Sequence, residues 1–289
     1  MRDAVLVTGA GGFVGTHLVA ALRDQGRRVV AHGRADGDIA RSVLPDEGIG
    51  HVIHLAGRSF VPDSWKDPHA FYETNVLGTV NALELCRRRA IPLTCVSSYV
   101  YGVPRALPIA EDHPVAALNP YSHSKILAEE AVAYYAAHLG VQATVVRPFN
   151  IYGPGQDGRF LVPTLIRQAL DPALDCITVR DLRPRRDFLH VRDLALLLVA
   201  TVSQPIAGVF NAGSGASIGI AELVADITAA TGQPKPLVSA GEARPEEVFD
   251  VVADISRAAR ELGWAPRVAI GDGIRETVRW TQAQLTAVR

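Results

Sequence analysis

A short apolar run, Ala4 to Thr8, breaks into the stretch Gly9-Ala10-Gly11-Gly12-Phe13-Val14-Gly15 and passes directly into helical periodicity that lasts to Gln25. A second β-rich run, Arg28 to His32, follows. Strand, glycine turn, helix and strand in that order make a βαβ unit, whose strands pair in parallel across the helical crossover. Further apolar runs at His51 to Leu55, Pro92 to Ser97 and Ala143 to Arg147 alternate with helical patterns around Phe71 to Arg89 and Tyr121 to His138. Runs such as VIHL and VVRP are apolar throughout, as strands covered by helices on both faces must be. The expectation is an α/β fold with a doubly wound parallel sheet.

A chain of 289 residues is long for one such sheet and short for two full domains. Residues 1–150 are expected to form the sheet domain, also receiving a strand and a helix from about 186–215. Residues 151–289 mainly form a small substrate-binding lobe. Past Phe149 the texture turns to Gly and Pro with shorter elements, at Leu161 to Leu170, Val191 to Val202, Val209 to Ala212 and Ile220 to Thr231. The stretch Thr231 to Pro245 reads as a connection within one unit. With 29 basic against 30 acidic side chains, the chain lacks the positive field that a nucleic-acid partner requires. The longest apolar run, Leu194 to Val202, is too short to cross a bilayer, and the apolar start is too short for a signal-peptide core. Cys86, Cys95 and Cys176 show no CxxC spacing and read as buried thiols in a reducing compartment, so a cytoplasmic location is expected. His54 and His123 have no metal-ligand spacing, and no metal site is expected. His54 reads as a core residue bonded to backbone, and His123 as facing solvent. The run Arg87-Arg88-Arg89 complements a helix C-terminus and is assigned no ligand.

The glycine turn carries the first chemistry. Backbone N–H groups and the positive end of a helix can hold a pyrophosphate there, so a dinucleotide is the expected ligand. The glycines fall at 9, 12 and 15, a GxxGxxG spacing, whereas a GxGxxG register from Gly9 fails at Val14. NAD sites place an acid at the end of the second strand for the ribose hydroxyls, but here the strand ends His32-Gly33-Arg34. The Arg34 fork suits a 2′-phosphate, so NADP(H) is favoured and NAD(H) is the alternative. In Asn119-Pro120-Tyr121-Ser122-His123-Ser124-Lys125 a proline opens a helix and puts Tyr121 and Lys125 on one face. An ammonium beside a phenol favours the phenolate and lowers its pKa. The stretch Thr94-Cys95-Val96-Ser97-Ser98-Tyr99 brings two hydroxyls to the carboxyl end of a buried strand, where open α/β sheets bind ligands.

Glycine turn, serine turn and YxxxK in this order resemble the extended short-chain dehydrogenase/reductase family of nucleotide-sugar epimerases, dehydratases and reductases, a Rossmann-fold family. Supporting segments are HLAGRSFVPDSWKDP, NVLGT, RPFNIYGPGQ, RRDFLHVRDLA, FNAGSG and ADISRAARELGW, which together span nearly the whole chain. The resemblance implies that Tyr121 is the catalytic acid/base, with Lys125 lowering its pKa and holding the nicotinamide ribose. Ser97 would be the catalytic serine, three residues before the Val of VYG, with Ser98 as the alternative. Gly9, Gly12, Phe13, Val14 and Gly15 would line the pyrophosphate, Asp38 and Ile39 the adenine, and Leu55, Ala56 and Gly57 the middle of the cofactor. Asn75 would support the cofactor-side network. Asn150, Arg186 and Arg244 match positions that contact a nucleotide-sugar diphosphate.

The resembled 4,6-dehydratases carry Asp-Glu after the catalytic Ser or Thr, where this chain has Ser98 and Tyr99. That departure argues against dehydration. The implied reaction is NADPH-dependent reduction of a nucleotide-linked 4-keto-6-deoxyhexose, on a GDP- or dTDP-sugar. An NAD-dependent nucleotide-sugar 4-epimerase is the alternative, and a noncatalytic dinucleotide-binding protein a third. Relatives pair the helix after NVLGT with the YxxxK helix, so the resemblance also implies a homodimer.

Overall fold

The computed structural model describes residues 3–242 and 248–287. The first unit is β1 (Ala4–Thr8), α1 (Phe13–Asp24) and β2 (Val29–His32), followed by β3 (Ile49–His54). Two short helices, α2 (Val61–Lys66) and α3 (Pro68–Tyr72), lead through a π-turn at Glu73–Leu77 into α4 (Gly78–Arg89). Next come β4 (Leu93–Val96), α5 (Pro120–His138), β5 (Ala143–Pro148), β6 (Asn150–Tyr152), α6 (Leu161–Leu170), β7 (Ile177–Val179) and β8 (Arg185–His190). The chain closes with α7 (Val191–Ser203), β9 (Gly208–Ala212), β10 (Ser217–Gly219), α8 (Ile220–Thr231), β11 (Leu237–Ser239), α9 (Ser256–Leu262) and α10 (Ile270–Ala287).

Six strands form one parallel sheet in the order β2-β1-β3-β4-β5-β9. From β1 the chain steps outward to β2 and then returns past β1 to β3, so the winding reverses between β1 and β3. Ligands of open α/β sheets bind at the carboxyl ends of strands flanking such a reversal. The connection between β2 and β3 holds no strand, which leaves β2 as the sheet edge. One face is covered by α1 and α7, whose Leu18, Leu22, Leu194 and Leu198 are buried together with Leu262 and Trp264. The other is covered by α4 and α5 through Leu83, Cys86 and Val132. Burial on both sides is why β1 and β5 are buried along their full lengths.

A smaller body packs around its own core of α6, α8 and α10, with Leu165, Leu223, Ile274 and Val278 buried at its centre. Its strands form a three-stranded β10-β8-β6 sheet and a two-stranded β11-β7 pair. Among the described residues, no helix is long and apolar enough to cross a membrane. Cys86 and Cys95 are buried, whereas Cys176 is half-buried, because it sits in the turn before β7 rather than in a core element.

Candidate active site

The glycine turn is shaped by two close approaches. Gly9 has φ +70°, and a Cβ there would stand 2.7 Å from the Ala56 nitrogen, so the turns after β1 and β3 touch at backbone level. A Cβ on Gly15 would meet the Gly9 oxygen at 2.3 Å. Gly12 caps α1 without a side-chain hydrogen bond, and the first turn of α1 contains no acid, so its amide dipoles face outward uncompensated. Gly12 is exposed and a Cβ there would approach only the Gly9 oxygen, at 3.2 Å, while one on Gly11 would meet nothing. The residues therefore fit a dinucleotide pyrophosphate, with open backbone in front of a positive helix end. Phe13 and Val14 are half-buried beside it. Leu55 and Ala56 anchor to Thr8 through N–H bonds to its carbonyl and its hydroxyl, at 3.2 and 3.3 Å, and Gly57 lies exposed beyond them.

A cleft of about 540 Å³ opens beside the turn, lined by Ala10, Gly11, Gly33, Arg34 and Asp36 among others. Arg34 is exposed there. Asp36, which the sequence reading passed over, turns back so that its Oδ2 accepts the Gly33 N–H at 2.8 Å. The signal was present as an acid two residues beyond Arg34, but only the 3₁₀ turn at Arg34–Asp36 brings it back to the strand end. Asp38 is exposed and caps the Ala40 N–H, whereas the Ile39 side chain is buried against Gly78 of α4.

Asn119 accepts the Ser122 N–H at 2.8 Å and Pro120 opens the first turn, so α5 starts one residue before Tyr121. Lys125 is buried and its Nζ donates to the Val96 carbonyl at 2.7 Å, at the end of β4. Tyr121 is half-buried, with Phe71 edge-on to its ring. Burial pushes its phenol above the usual range, and a hydrogen bond with Ser98 works in the opposite direction. The expected lowering by Lys125 is therefore not what the structure displays: the ammonium is turned to a carbonyl, and desolvation dominates the phenol. Burial likewise lowers Lys125. Ser97 is buried and its hydroxyl has no hydrogen-bond partner among the described residues. An orphaned hydroxyl at the carboxyl end of β4, one residue from Ser98, fits a site completed by a ligand or water.

Asn75 sits in the π-turn, where the wider turn swings it inward to 1 % exposure. Its amide accepts the Arg58 N–H at 2.8 Å and donates to the Arg58 carbonyl and to Ser124 Oγ. Ser124 in turn donates to the Tyr121 carbonyl at 2.7 Å, which ties the turn after β3 to the tyrosine helix. Ser124 and Arg58 had no distinguishing signal in the sequence. Toward the smaller body, Asn150 donates to the Asp187 carbonyl at 3.1 Å, and Arg186 donates to the Arg185 and Val248 carbonyls. Arg186 also acts electrostatically on Tyr99, which places its charge toward the serine turn. Arg244 lies outside the described residues. Arg159 joins the two sides by pairing with Asp63 of α2 and Asp157 while stacking over Phe60 at 4.3 Å.

Other polar residues are structural. Thr8 Oγ1 meets His54 Nδ1 at 2.8 Å, so His54 is bonded to a side chain rather than to backbone, because β1 and β3 set the two residues opposite each other. His123 is exposed but bonds the Tyr72 hydroxyl at 3.0 Å. Arg87 and Arg89 pair with Glu84 and Asp46. Among the described residues no cluster of His, Cys, Asp or Glu could hold a metal.

A parallel sheet with a glycine-lined turn at its reversal point, and a Ser/Tyr/Lys set at the end of β4, define a dinucleotide-dependent enzyme class. Residues 5–213 match the model of the NAD dependent epimerase/dehydratase family, and the chain belongs to that family. It is an NAD(P)-dependent oxidoreductase or isomerase of the extended short-chain type. It is 30 % identical to a UDP-glucose 4-epimerase of Azospirillum brasilense over 96 % of this chain and 92 % of that one. Its identity to a GDP-6-deoxy-D-mannose reductase of Pseudomonas aeruginosa is 33 %, over 95 % of this chain and 96 % of that one. Among solved structures, MoeE5 in complex with UDP-glucose and NAD superposes with a TM-score of 0.90 at 32 % identity, covering 98 % of this chain and 99 % of that one. RMD from Pseudomonas aeruginosa complexed with NADPH gives 0.89 at 29 % identity with the same coverage. Solved neighbours thus hold either NAD or NADPH.

Proposed function

We propose that this enzyme reduces the 4-keto group of a nucleotide-linked 4-keto-6-deoxyhexose, carried on GDP or dTDP, and uses NADPH. A nicotinamide cofactor held at the glycine turn supplies the hydride for the sugar carbon. Tyr121 gives its proton to the carbonyl oxygen, and burial favours its neutral phenol, the form that can donate. Ser98 stands by the phenol, and the Ser97 hydroxyl, unpartnered among the described residues, donates a hydrogen bond to the same sugar oxygen. Lys125, fixed by the Val96 carbonyl, holds the nicotinamide ribose. Asn150, Arg186 and Arg244 receive the diphosphate. The observation that carries this reading is the pair of hydroxyls, Ser98 and Tyr99, at the two positions where dehydration would need a pair of carboxylates.

Arg34 supports NADPH, since it lines the cleft at the glycine turn and forms no ion pair among the described residues. Asp36 favours a second reading, an NAD-dependent 4-epimerase, because its carboxylate stands in the same cleft and suits ribose hydroxyls. Loss of NADPH absorbance with GDP- or dTDP-4-keto-6-deoxyhexoses tests the first reading, and no turnover with any of them overturns it. Retained NAD in the purified protein, with interconversion of UDP-sugars, would establish the second. The working form is a cytoplasmic homodimer formed by α4 and α5, which are joined internally by Tyr135 and Glu84 at 2.7 Å and present the exposed Tyr134. A monomer by sedimentation at high concentration excludes it.

A further inference from the structure

Lys125 is a cation in a place that disfavours cations. Its side chain is buried, a single carbonyl accepts from its ammonium, and desolvation favours the neutral amine. The groups that face it come from several elements. His54 on β3 is buried and held neutral, its pKa lowered to about 3 by burial and by Lys125 itself. Cys95 on β4 interacts with the ammonium, but burial raises its thiol to about 11 and it is uncharged at neutral pH. Tyr121, one turn earlier on α5, is pushed toward its neutral form by burial. Glu129, one turn later, also acts on Lys125. Glu129 stands four residues on from Lys125, on the same face of α5.

Glu129 is itself clamped. Arg147 of β5 grips both of its carboxylate oxygens, through Nε at 3.1 Å to each and Nη2 at 2.6 Å to Oε2. Side-chain exposures of 8 % and 11 % make this a desolvated pair. Arg147 also donates to the Glu111 carbonyl at 3.2 Å and lies over the Tyr101 ring at 4.8 Å, so its fork cannot swing away. A buried ion pair is weak as a stabilising device compared with apolar packing of the same volume. Its position on the Tyr121-Lys125-Glu129 face of one helix suits an electrostatic role better.

We propose that Glu129, fixed by Arg147, is a positioning residue that keeps Lys125 in its ammonium form inside the protein. The proposal rests on the reading of Lys125 as the ribose-holding residue only for its consequence; the charge relation itself stands without it. Lysine occurs just three times, at 66, 125 and 235, so a protein labelled at the lysine ε-carbons gives three NMR signals, assignable by substituting Lys66 and Lys235. Titration of the Lys125 signal in the cofactor-free protein reads its pKa directly. In Glu129→Gln the midpoint falls by about one pH unit or more, the scale of a lost neighbouring charge. Glu129→Asp, which retains the charge, keeps the midpoint within about half that shift. An unchanged midpoint in folded Glu129→Gln overturns the proposal. So does an equal fall in both variants, which would mean that shape rather than charge matters. Either failure leaves the proposed reduction intact, since that is judged by NADPH turnover.

Discussion

Two glycines three residues apart carry different duties, and alanine at each separates them. In Gly15→Ala the new methyl would lie 2.3 Å from the Gly9 oxygen, 2.7 Å from the Ala10 oxygen and 2.8 Å from the Ala10 carbonyl carbon. All three are backbone atoms, and the worst contact is about 1 Å inside ordinary van der Waals distance. Relief requires α1 to move away from the turn. Overpacking of this kind costs about 3 kcal/mol at the upper end, and alanine returns about 1 kcal/mol of helix propensity. The net of about 2 kcal/mol lowers the melting temperature by roughly 4–8 °C for a chain of this size. In Gly12→Ala the methyl meets one protein atom at 3.2 Å, so the expected stability loss stays below about 1 kcal/mol. That methyl instead occupies the face where the pyrophosphate must approach, and cofactor affinity falls at least about tenfold, or about 1.4 kcal/mol. Scanning fluorimetry of both variants, with NADP+ and NAD+ titrated calorimetrically into each, makes the comparison. Wild-type melting of Gly15→Ala, or wild-type cofactor affinity of Gly12→Ala, would refute the reasoning.

Tyr121→Phe removes the proton donor but no packing contact, so turnover drops by about 10²- to 10⁴-fold while melting is unchanged; a stopped-flow rate near wild type would dismiss the role. Arg34→Ala is expected to raise KM for NADPH by about tenfold and leave KM for NADH alone, and parallel changes for both cofactors would remove the 2′-phosphate contact. His51 and His54 are buried neutral, with pKa values lowered to about 4 and about 3. Below about pH 6.5 the unfolded chain binds protons that the native state refuses, so stability falls as pH drops from about 6.5 toward 4, by up to about 1.4 kcal/mol per pH unit for each group. Melting curves across that range should decline, less steeply in His51→Gln; a flat profile contradicts the sign.

Much of the fold was legible because its signals are local. Apolar runs four to six residues long, spaced by helical patterns, define β1, β3, β4 and β5 within a residue or two at each end. The glycine turn was legible as a place of close backbone approach, and the contact of Gly9 with Ala56 is of that kind. Tyr121 and Lys125 share a face because helical geometry sets the relation of residues four apart.

What those residues touch was decided by tertiary structure. Lys125 reaches the Val96 carbonyl across 29 positions of sequence, and Glu129 meets Arg147 across 18, through connections whose path no local pattern encodes. Ser98 is the serine that acts on the Tyr121 phenol, whereas Ser97 Oγ has no hydrogen-bond partner among the described residues. Asp36 returns to Gly33 only through its 3₁₀ turn, and Ile39 is drawn into the core by α4. The sequence by itself determined the sheet, the glycine turn and the reactive face of α5, all consequences of backbone periodicity. Charge and proton affinity at that face depend on burial and on partners distant in the chain, and these exist only once the helices are packed on the sheet.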